Sequence, residues 1–190
     1  MIRFLNDETV AGYRYGKGAI ARFDPATEAQ LIAVADAENH PLITQPIEVL
    51  SSSAVPASCV STTIDEILAL FIIPAGTLGV NSILQIEPLW TFASSANNKI
   101  LKVKAGGTTI YSATRTTSVK EAPLIVLANR NSLISQIQPY DNAYATAGSG
   151  APATYTIDFS MDVIVQITGQ RTTNEALVLE YYRALHFIGA

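Results

Sequence analysis

Charged side chains are scarce in this sequence. Asp, Glu, Lys and Arg together make up 15% of its 190 residues, whereas soluble domains average about 25%. Disordered chains combine few apolar residues with a high net charge, but here 48% of the residues are hydrophobic and the formal net charge is −4. The composition also excludes a coiled coil. No nucleic-acid partner is expected, because such partners require a basic surface.

Cysteine and histidine are rare as well. Cys59 is the only cysteine, which excludes an intrachain disulfide and a cysteine-based zinc cluster. His40 and His186 are the only histidines. A catalytic thiol needs a positively charged neighbourhood, and no lysine or arginine lies between Arg22 and Lys99. We therefore interpret Cys59 as structural and expect no metal and no cofactor.

Long hydrophobic runs are also absent. The most apolar stretch, Ile67 to Ile73, stops at Pro74-Ala75-Gly76 and is far shorter than the roughly 20 residues of a membrane helix. The N-terminus turns acidic at Asp7-Glu8, too early for a signal peptide. We expect a soluble protein without membrane insertion, in which residues 67–73 form a buried strand.

Helix signals are confined to the N-terminal segment. Asp24-Pro25 joins a capping residue to a proline suited to the first helical position. The helix should end near Asn39, because Pro41 disfavours helix at the residue before it. We interpret residues 1–46 as a small strand–helix module that anchors the protein. Residues 47–61, rich in Ser and Ala, are predicted to form an extended linker that could hold one edge strand.

From Thr62 onward the pattern is all-β. Short apolar runs alternate with turn signals, and residues 82–92 and 99–104 show the period of two that is typical of strands. Gly106-Gly107 is typical of a hairpin turn. Roughly eight strands with short turns predict a mainly β fold in which residues 62–190 form an antiparallel, jelly-roll-like β-sandwich.

Polar residues that could carry catalysis each have a simpler structural interpretation. Gly16-Lys17-Gly18 lacks the spacing of a phosphate-binding loop. Asp158 and Asp162 would lie about 13 Å apart on one strand face, too far for a paired-carboxylate glycosidase site. We interpret them, like Asp65-Glu66, as solvated or subunit-facing residues. A calcium site that includes Asp141 is the alternative.

His186 and the tyrosines complete the candidates. His186 could act in a triad only beside a serine and an acid, and the sequence has no Gly-x-Ser-x-Gly elbow, so we interpret it as structural. The C-terminal tyrosines could form a sugar-binding platform, but cross-strand pairing in a sheet is the interpretation we favour. They are Tyr140, Tyr144, Tyr155, Tyr181 and Tyr182.

One stretch has a recognisable pattern. It runs from Ile-Pro-Ala-Gly-Thr-Leu-Gly at 73–79, with Asn81, through an apolar strand that contains Trp90. A Ser-x-Asn-x-Lys motif at 95–99 and a basic strand that ends in Gly106-Gly107 follow. This pattern resembles a β-module of tailed-bacteriophage virion proteins, including tail fibres and appendages, over about 80 residues. Tyr15-Gly16-Lys17-Gly18 and the segment after it resemble a small strand–helix element of phage structural proteins. The resemblance implies a virion structural role and brings no catalytic motif.

Three functions follow as hypotheses. The first is a non-enzymatic virion protein of the neck or collar, tail or head. It would form a homo-oligomer, most simply a trimer, anchored by residues 1–61 to other virion proteins, with the charge-poor stretch between Arg22 and Lys99 as part of the assembly surface. The second is a receptor-binding tail-fibre module that recognises a host surface saccharide through the Tyr-rich loops around 140–155. The third, a polysaccharide-degrading enzyme, is disfavoured because no closely spaced carboxylate pair is evident.

Overall fold

The computed structural model describes residues 47–139 and 150–189, together with the backbone of five short strands before residue 40. The chain divides into two compact units, Met1–Gln45 and Pro46–Ala190. Within the described residues there is no helix, and so none that could span a membrane. The prediction of a mainly β protein is confirmed for this part of the chain.

Five short strands of the first unit are described. Their bounds are β1 Ile2–Phe4, β2 Glu8–Val10, β3 Tyr13–Tyr15, β4 Ile20–Ala21 and β5 Ala37–Asn39. β1 pairs antiparallel with β4 and β5, and β2 pairs with β3. The predicted helix lies outside the described residues except for its last three, which form β5 rather than helix. In β5, Ala37 to Asn39 find their backbone partners on β1.

The second unit consists of two antiparallel sheets. Its strands are β6 Ile47–Ser53, β7 Ala57–Ser58, β8 Glu66–Ile73, β9 Ile83–Phe92, β10 Lys99–Ala105, β11 Thr108–Arg115, β12 Lys120–Glu121, β13 Ile125–Asn129, β14 Gln136–Gln138, β15 Ala153–Tyr155, β16 Val163–Arg171 and β17 Leu177–Phe187. The smaller sheet has the order β11-β10-β16-β8. The larger sheet has the order β15-β14-β13-β9-β17-β6, with β12 paired to β9 and β7 paired to β17.

Eight strands of this unit have five or more residues. Numbered along the chain, they are β6, β8, β9, β10, β11, β13, β16 and β17. In the larger sheet their order is first, eighth, third, sixth, and in the smaller sheet it is second, seventh, fourth, fifth. Every recorded pairing among them is antiparallel.

Both sheets contribute to one hydrophobic core. The inward residues of β9 and β10 alternate with outward ones as their sequence pattern predicts, and Trp90 is fully buried. Two ring pairs connect the sheets: Phe71 stacks on Tyr182 with centroids 5.8 Å apart, and Trp90 stacks on Tyr111 at 6.3 Å. Such a core between two facing sheets is the arrangement of a β-sandwich.

The segment 47–61 belongs to the larger sheet. β6 forms its edge and pairs with β17, and β7 pairs with the start of β17. Cys59 then joins the hydrophobic core. Bulges interrupt the pairing of three strands at sheet edges: β6 opposite Ala184/Leu185, β8 opposite Ile167/Thr168, and β11 opposite Val103/Lys104.

Glycine geometry agrees with the sequence at one turn and differs at another. Gly106 and Gly107 both have positive φ, 55° and 78°, and connect β10 to β11 as predicted. The residue types at Gly79 and Asn81 would also tolerate left-handed backbone, but neither residue has a positive φ. The positive φ in that connection is at Gly76, three residues after the end of β8.

Candidate functional site

The acidic candidates at 65 and 66 are each held by their own partners. The Asp65 carboxylate lies 3.0 Å from the Lys102 ammonium and 2.7 Å from that of Lys104. Burial would raise the pKa of Asp65, but its hydrogen bonds to the two lysines lower it overall. Glu66 accepts hydrogen bonds from the backbone N–H groups of Val60 and Ser61, and these bonds lower its pKa. Asp65 therefore connects the start of β8 to β10, and Glu66 connects it to residues 60 and 61.

Asp158 and Asp162 also have separate local partners. Asp158 accepts hydrogen bonds from the backbone and the hydroxyl of Ser160, and these bonds lower its pKa. Asp162 accepts a hydrogen bond from the backbone N–H of Ala75 at 2.8 Å. Among the described residues, no group of three or more His, Cys, Asp or Glu side chains could hold a metal ion. Asp141 and Gly16-Lys17-Gly18 lie outside the described residues.

Cys59 is a core residue with an unreactive thiol. It is 2% exposed, and burial together with a hydrogen bond to Glu66 raises its pKa to about 11. Because the thiolate is the nucleophilic form, this environment supports the structural interpretation.

His186 lies in a triad-like arrangement that the sequence did not predict. Its Nε2 atom is hydrogen-bonded to Ser82 Oγ at 2.9 Å, and its Nδ1 atom lies 3.3 Å from Glu48 Oε2. The Ser82 oxygen already accepts the backbone N–H of Gly79 at 2.9 Å, and Ser82 and His186 are 2% and 4% exposed. A nucleophile needs an open path to its substrate, so this serine acts instead as a connection between the β8–β9 turn and β17.

The three tyrosine candidates that the structure describes lie in different environments. Tyr182 is buried in the core, and its hydroxyl is hydrogen-bonded to Ser51. Tyr181 is 42% exposed on β17. Tyr155 lines a groove together with residues of β11. Tyr140 and Tyr144 lie outside the described residues, so the sugar platform built on all five tyrosines stays a prediction.

The Ser-x-Asn-x-Lys motif surrounds one carboxylate. Ser95 Oγ donates to Glu175 at 2.6 Å, Asn97 Nδ2 donates to it at 2.9 Å, and Lys99 Nζ lies 3.0 Å from it. Lys99 itself is fully buried, and its Nζ also donates to Ser95 Oγ. The hydrogen bonds from Ser95, Asn97 and Lys99 lower the pKa of Glu175 to about 2. The motif thus joins the β9–β10 loop to the β16–β17 loop.

Exposed apolar side chains gather on the smaller sheet. From Leu70 to Ile73 of β8 and from Val163 to Val165 of β16, exposed residues alternate with buried ones, so the exposed ones share the outer face of the sheet, and Ile67 is exposed on the other side of the bulge in β8. We call four of them the apolar patch: Ile67, Leu70, Ile72 and Ile164, each between 46% and 52% exposed. Ile72 and Ile164 are direct cross-strand partners. Three of the four residues lie in the charge-poor stretch between Arg22 and Lys99.

A groove of about 520 Å³ lies between β11 and β13. Its lining includes all residues from Thr109 to Arg115, residues 124–126, and Gln138, Pro139 and Tyr155. Near one end, Arg115 binds the Glu121 carboxylate through two hydrogen bonds of 2.6 and 2.8 Å, and Tyr111 donates to the same carboxylate. Burial would raise the pKa of Glu121, but Arg115 and Tyr111 lower it overall.

No family model matches the chain, and neither does any curated protein. Solved structures similar to it include the insecticidal delta-endotoxin Cry8Ea1 of Bacillus thuringiensis, at 10% identity and a TM-score of 0.35, over 71% of this chain and 19% of the toxin chain. The CBM2 module of the evolved Dit of Lactobacillus casei BL23 phage J-1 is 12% identical, with a TM-score of 0.31, over 64% of this chain and 69% of the module.

A chain of the Sacbrood virus of honeybee is 12% identical, with a TM-score of 0.29, over 75% of this chain and 72% of the viral one. This chain therefore spans about a fifth of the toxin chain and roughly seven-tenths of the two viral chains. All three TM-scores lie below 0.5, so these similarities decide neither the fold nor the function.

Proposed function

We propose that this chain is a non-enzymatic structural protein of a bacteriophage particle, in the neck or collar, tail or head. Its second unit is a jelly roll that assembles into a homo-oligomer, most simply a trimer. The N-terminal module, predicted at 1–46 and corresponding to the unit Met1–Gln45, is the anchor that contacts other virion proteins. The sequence resemblance to phage β-modules supports the phage assignment.

The strand order supports the jelly roll. A jelly roll has eight strands in two sheets, ordered first, eighth, third, sixth in one and second, seventh, fourth, fifth in the other. The eight longer strands follow this order. Viral capsid domains use this architecture, and so do lectin domains. The fold alone therefore does not separate an assembly role from a saccharide-binding role, and features of the surface are needed to choose between them.

The apolar patch is the observation that carries the assembly role. A row of exposed apolar residues on an edge strand favours contact with another chain. On β8 the row lacks charge between Glu66 and the end of the strand. Contact with a second subunit would remove Leu70 and Ile72 from water, which is favourable in proportion to the apolar area buried.

Light scattering of the purified full chain tests the oligomer. We expect a trimer, and we expect Ile72→Glu to dissociate it because a carboxylate would have to be buried in the contact. Ile134→Glu is the matched control, since Ile134 is similarly exposed but lies in the turn after β13. A wild-type monomer at high concentration, or an oligomer unaffected by Ile72→Glu, would contradict the proposal. A density map of the intact particle would then give the position of the chain and its copy number.

A saccharide-binding tail-fibre module is the second candidate, because Tyr155 is half-buried in the groove beside polar side chains. Binding on a glycan array would support it. The absence of binding at millimolar saccharide concentrations would exclude it.

A further inference from the structure

The groove is lined by the backbone edges of two strands rather than by their side-chain faces. Successive side chains of a strand point to opposite faces, so a pocket on one face is lined by alternate residues. Here seven consecutive residues of β11, Thr109 to Arg115, line one wall, and the consecutive residues 124–126 line the other. Both walls are therefore backbone edges.

The outer edge of β11 has no strand partner among the described residues. Within the described ranges 47–139 and 150–189, β11 pairs only with β10. The side chain of Gln138 donates from Nε2 to the backbone oxygen of Ile110 at 2.8 Å, so this carbonyl faces the groove. Backbone groups of alternate residues point to the same side of a strand. Ser112 and Thr114 therefore direct their N–H and C=O groups into the groove, where the Thr114 carbonyl already accepts a long hydrogen bond of 3.5 Å from Nη1 of Arg115.

The second wall adds further hydrogen-bonding capacity. β13 pairs with β9 through Ile125 to Ala128, but with β14 only through Ala128 and Asn129. The edge at Ile125 and Val126 is thus unpaired on the groove side among the described strands. Gln138 Oε1 is buried and has no hydrogen-bond partner. A buried acceptor without a partner costs free energy, but protein atoms cover this oxygen, so a guest would reach it only after the Gln138 side chain moved.

We propose that the groove binds an extended polypeptide strand of a partner protein, which adds to the smaller sheet beside β11. Strand addition of this kind obtains affinity from main-chain hydrogen bonds. The register of β11 shifts at Ile110, which has no partner on β10, so the regular edge runs from Tyr111 to Arg115, is about 16 Å long and accommodates about five residues of the guest.

The surroundings define the chemistry of the guest. Ile110 and Ala113 are buried beside the groove, so the inward positions of the guest are apolar and the outward ones polar. Arg115 is already paired with Glu121, so we expect the middle residues of the guest strand to be uncharged. A saccharide matches this site less well, because the groove offers backbone groups at the two-residue repeat of a strand. This inference goes beyond the virion role and does not depend on it.

Amide hydrogen exchange of the full chain, followed by NMR, tests the free edge. The Ser112 and Thr114 amides should exchange at least about tenfold faster than the amide of Ala113, which faces β10. Equal protection of all three amides would show that the edge is already occupied and would overturn the proposal.

Selection from a random ten-residue peptide library then tests the guest. We expect selected peptides to alternate apolar and polar residues and to slow exchange at Ser112 and Thr114. Thr114→Pro removes one outward N–H at an edge, where proline is tolerated, and should weaken peptide binding about tenfold. Thr114→Val keeps the N–H and should bind normally.

Three other outcomes would contradict the binding of a guest strand. A library without binders, peptides that leave the β11 amides unprotected, or equal binding to both Thr114 variants would overturn it. A saccharide from a glycan panel that protects the same amides would assign the groove to carbohydrate instead. None of these readouts depends on the oligomeric state, so failure here is distinguishable from failure of the virion proposal.

Discussion

At the scale of single residues, Glu175 holds three side chains of one motif. It accepts hydrogen bonds from Ser95 and Asn97 and pairs with the buried ammonium of Lys99. A buried ammonium is costly unless it is paired. The Ser-x-Asn-x-Lys motif is thus explained by stability, without any catalytic or binding role.

We expect Glu175→Gln to lower the melting temperature at pH 7, because the substitution removes the charge that compensates Lys99. The pKa of Glu175 is lowered from 4.5 to about 2. Its stabilisation is therefore complete above about pH 5 and is lost as the pH falls toward 2. The difference in melting temperature between wild type and variant, followed by circular dichroism, should shrink across this range.

Glu180→Gln is the control for this measurement, since it keeps an oxygen that can accept the hydrogen bond from Thr91. Its effect should be small and should not depend on pH in the same way. Equal melting temperatures of wild type and Glu175→Gln at pH 7 would contradict the structural role of the motif.

Cys59 should resist labelling in the folded protein. With a pKa of about 11, roughly one thiol in a thousand is ionised at about pH 8, and the side chain is buried. We expect a maleimide to react slowly with native protein and rapidly in guanidinium chloride, as measured by mass spectrometry. Complete labelling of the native protein within minutes would show that the segment around Cys59 opens readily.

At the scale of elements, the β10–β11 hairpin depends on its two glycines. Both have positive φ, a conformation that costs other L-residues about 1–2 kcal/mol. A Cβ atom at Gly107 would meet no neighbour within 4 Å, so the cost of Gly107→Ala is purely conformational. We expect this variant to lose about 1–2 kcal/mol of unfolding free energy in urea titrations.

Two further variants test the cause. Gly107→Asn should lose less stability, because asparagine tolerates left-handed backbone. Gly79→Ala should have little effect, because Gly79 has no positive φ and a Cβ there would make an ordinary 3.4 Å contact with Ser82. A larger loss at Gly79 than at Gly107 would contradict this account of the turn.

The sequence could predict local features of these elements but not their partners. The alternation of β9 and β10 and the turn at Gly106-Gly107 depend on neighbouring residues, and they were predicted correctly. Glu175 lies 80 residues from Ser95, and Ser82 lies 104 residues from His186. Such contacts follow from strand order, which period-two patterns do not encode. The groove could not be predicted either, since it is defined by which edges remain unpaired.

At the scale of the whole molecule, the boundary between the units decides which truncation is tolerated. The compact units divide after Gln45, whereas β6, β7 and Cys59 belong to the larger sheet and the core. We expect deletion of residues 1–45 to leave the second unit folded, with a cooperative thermal transition by calorimetry.

Deletion of residues 1–61 should instead lower the melting temperature strongly, because it removes an edge strand and a core side chain. Equal stability of the two truncations would show that β6 and β7 contribute little to the sheet. For particle assembly, the shorter deletion is therefore the one that isolates the anchoring role proposed for the N-terminal unit.

The position of Trp90 has a spectroscopic consequence. It is the only tryptophan of the chain, it is fully buried, and it stacks on Tyr111, which lines the groove. Its fluorescence should therefore be emitted from an apolar environment in the folded protein and shift to longer wavelength on unfolding. Because only one ring separates this fluorophore from the groove, a guest that displaces Tyr111 should change the emission intensity, which would provide a label-free titration signal.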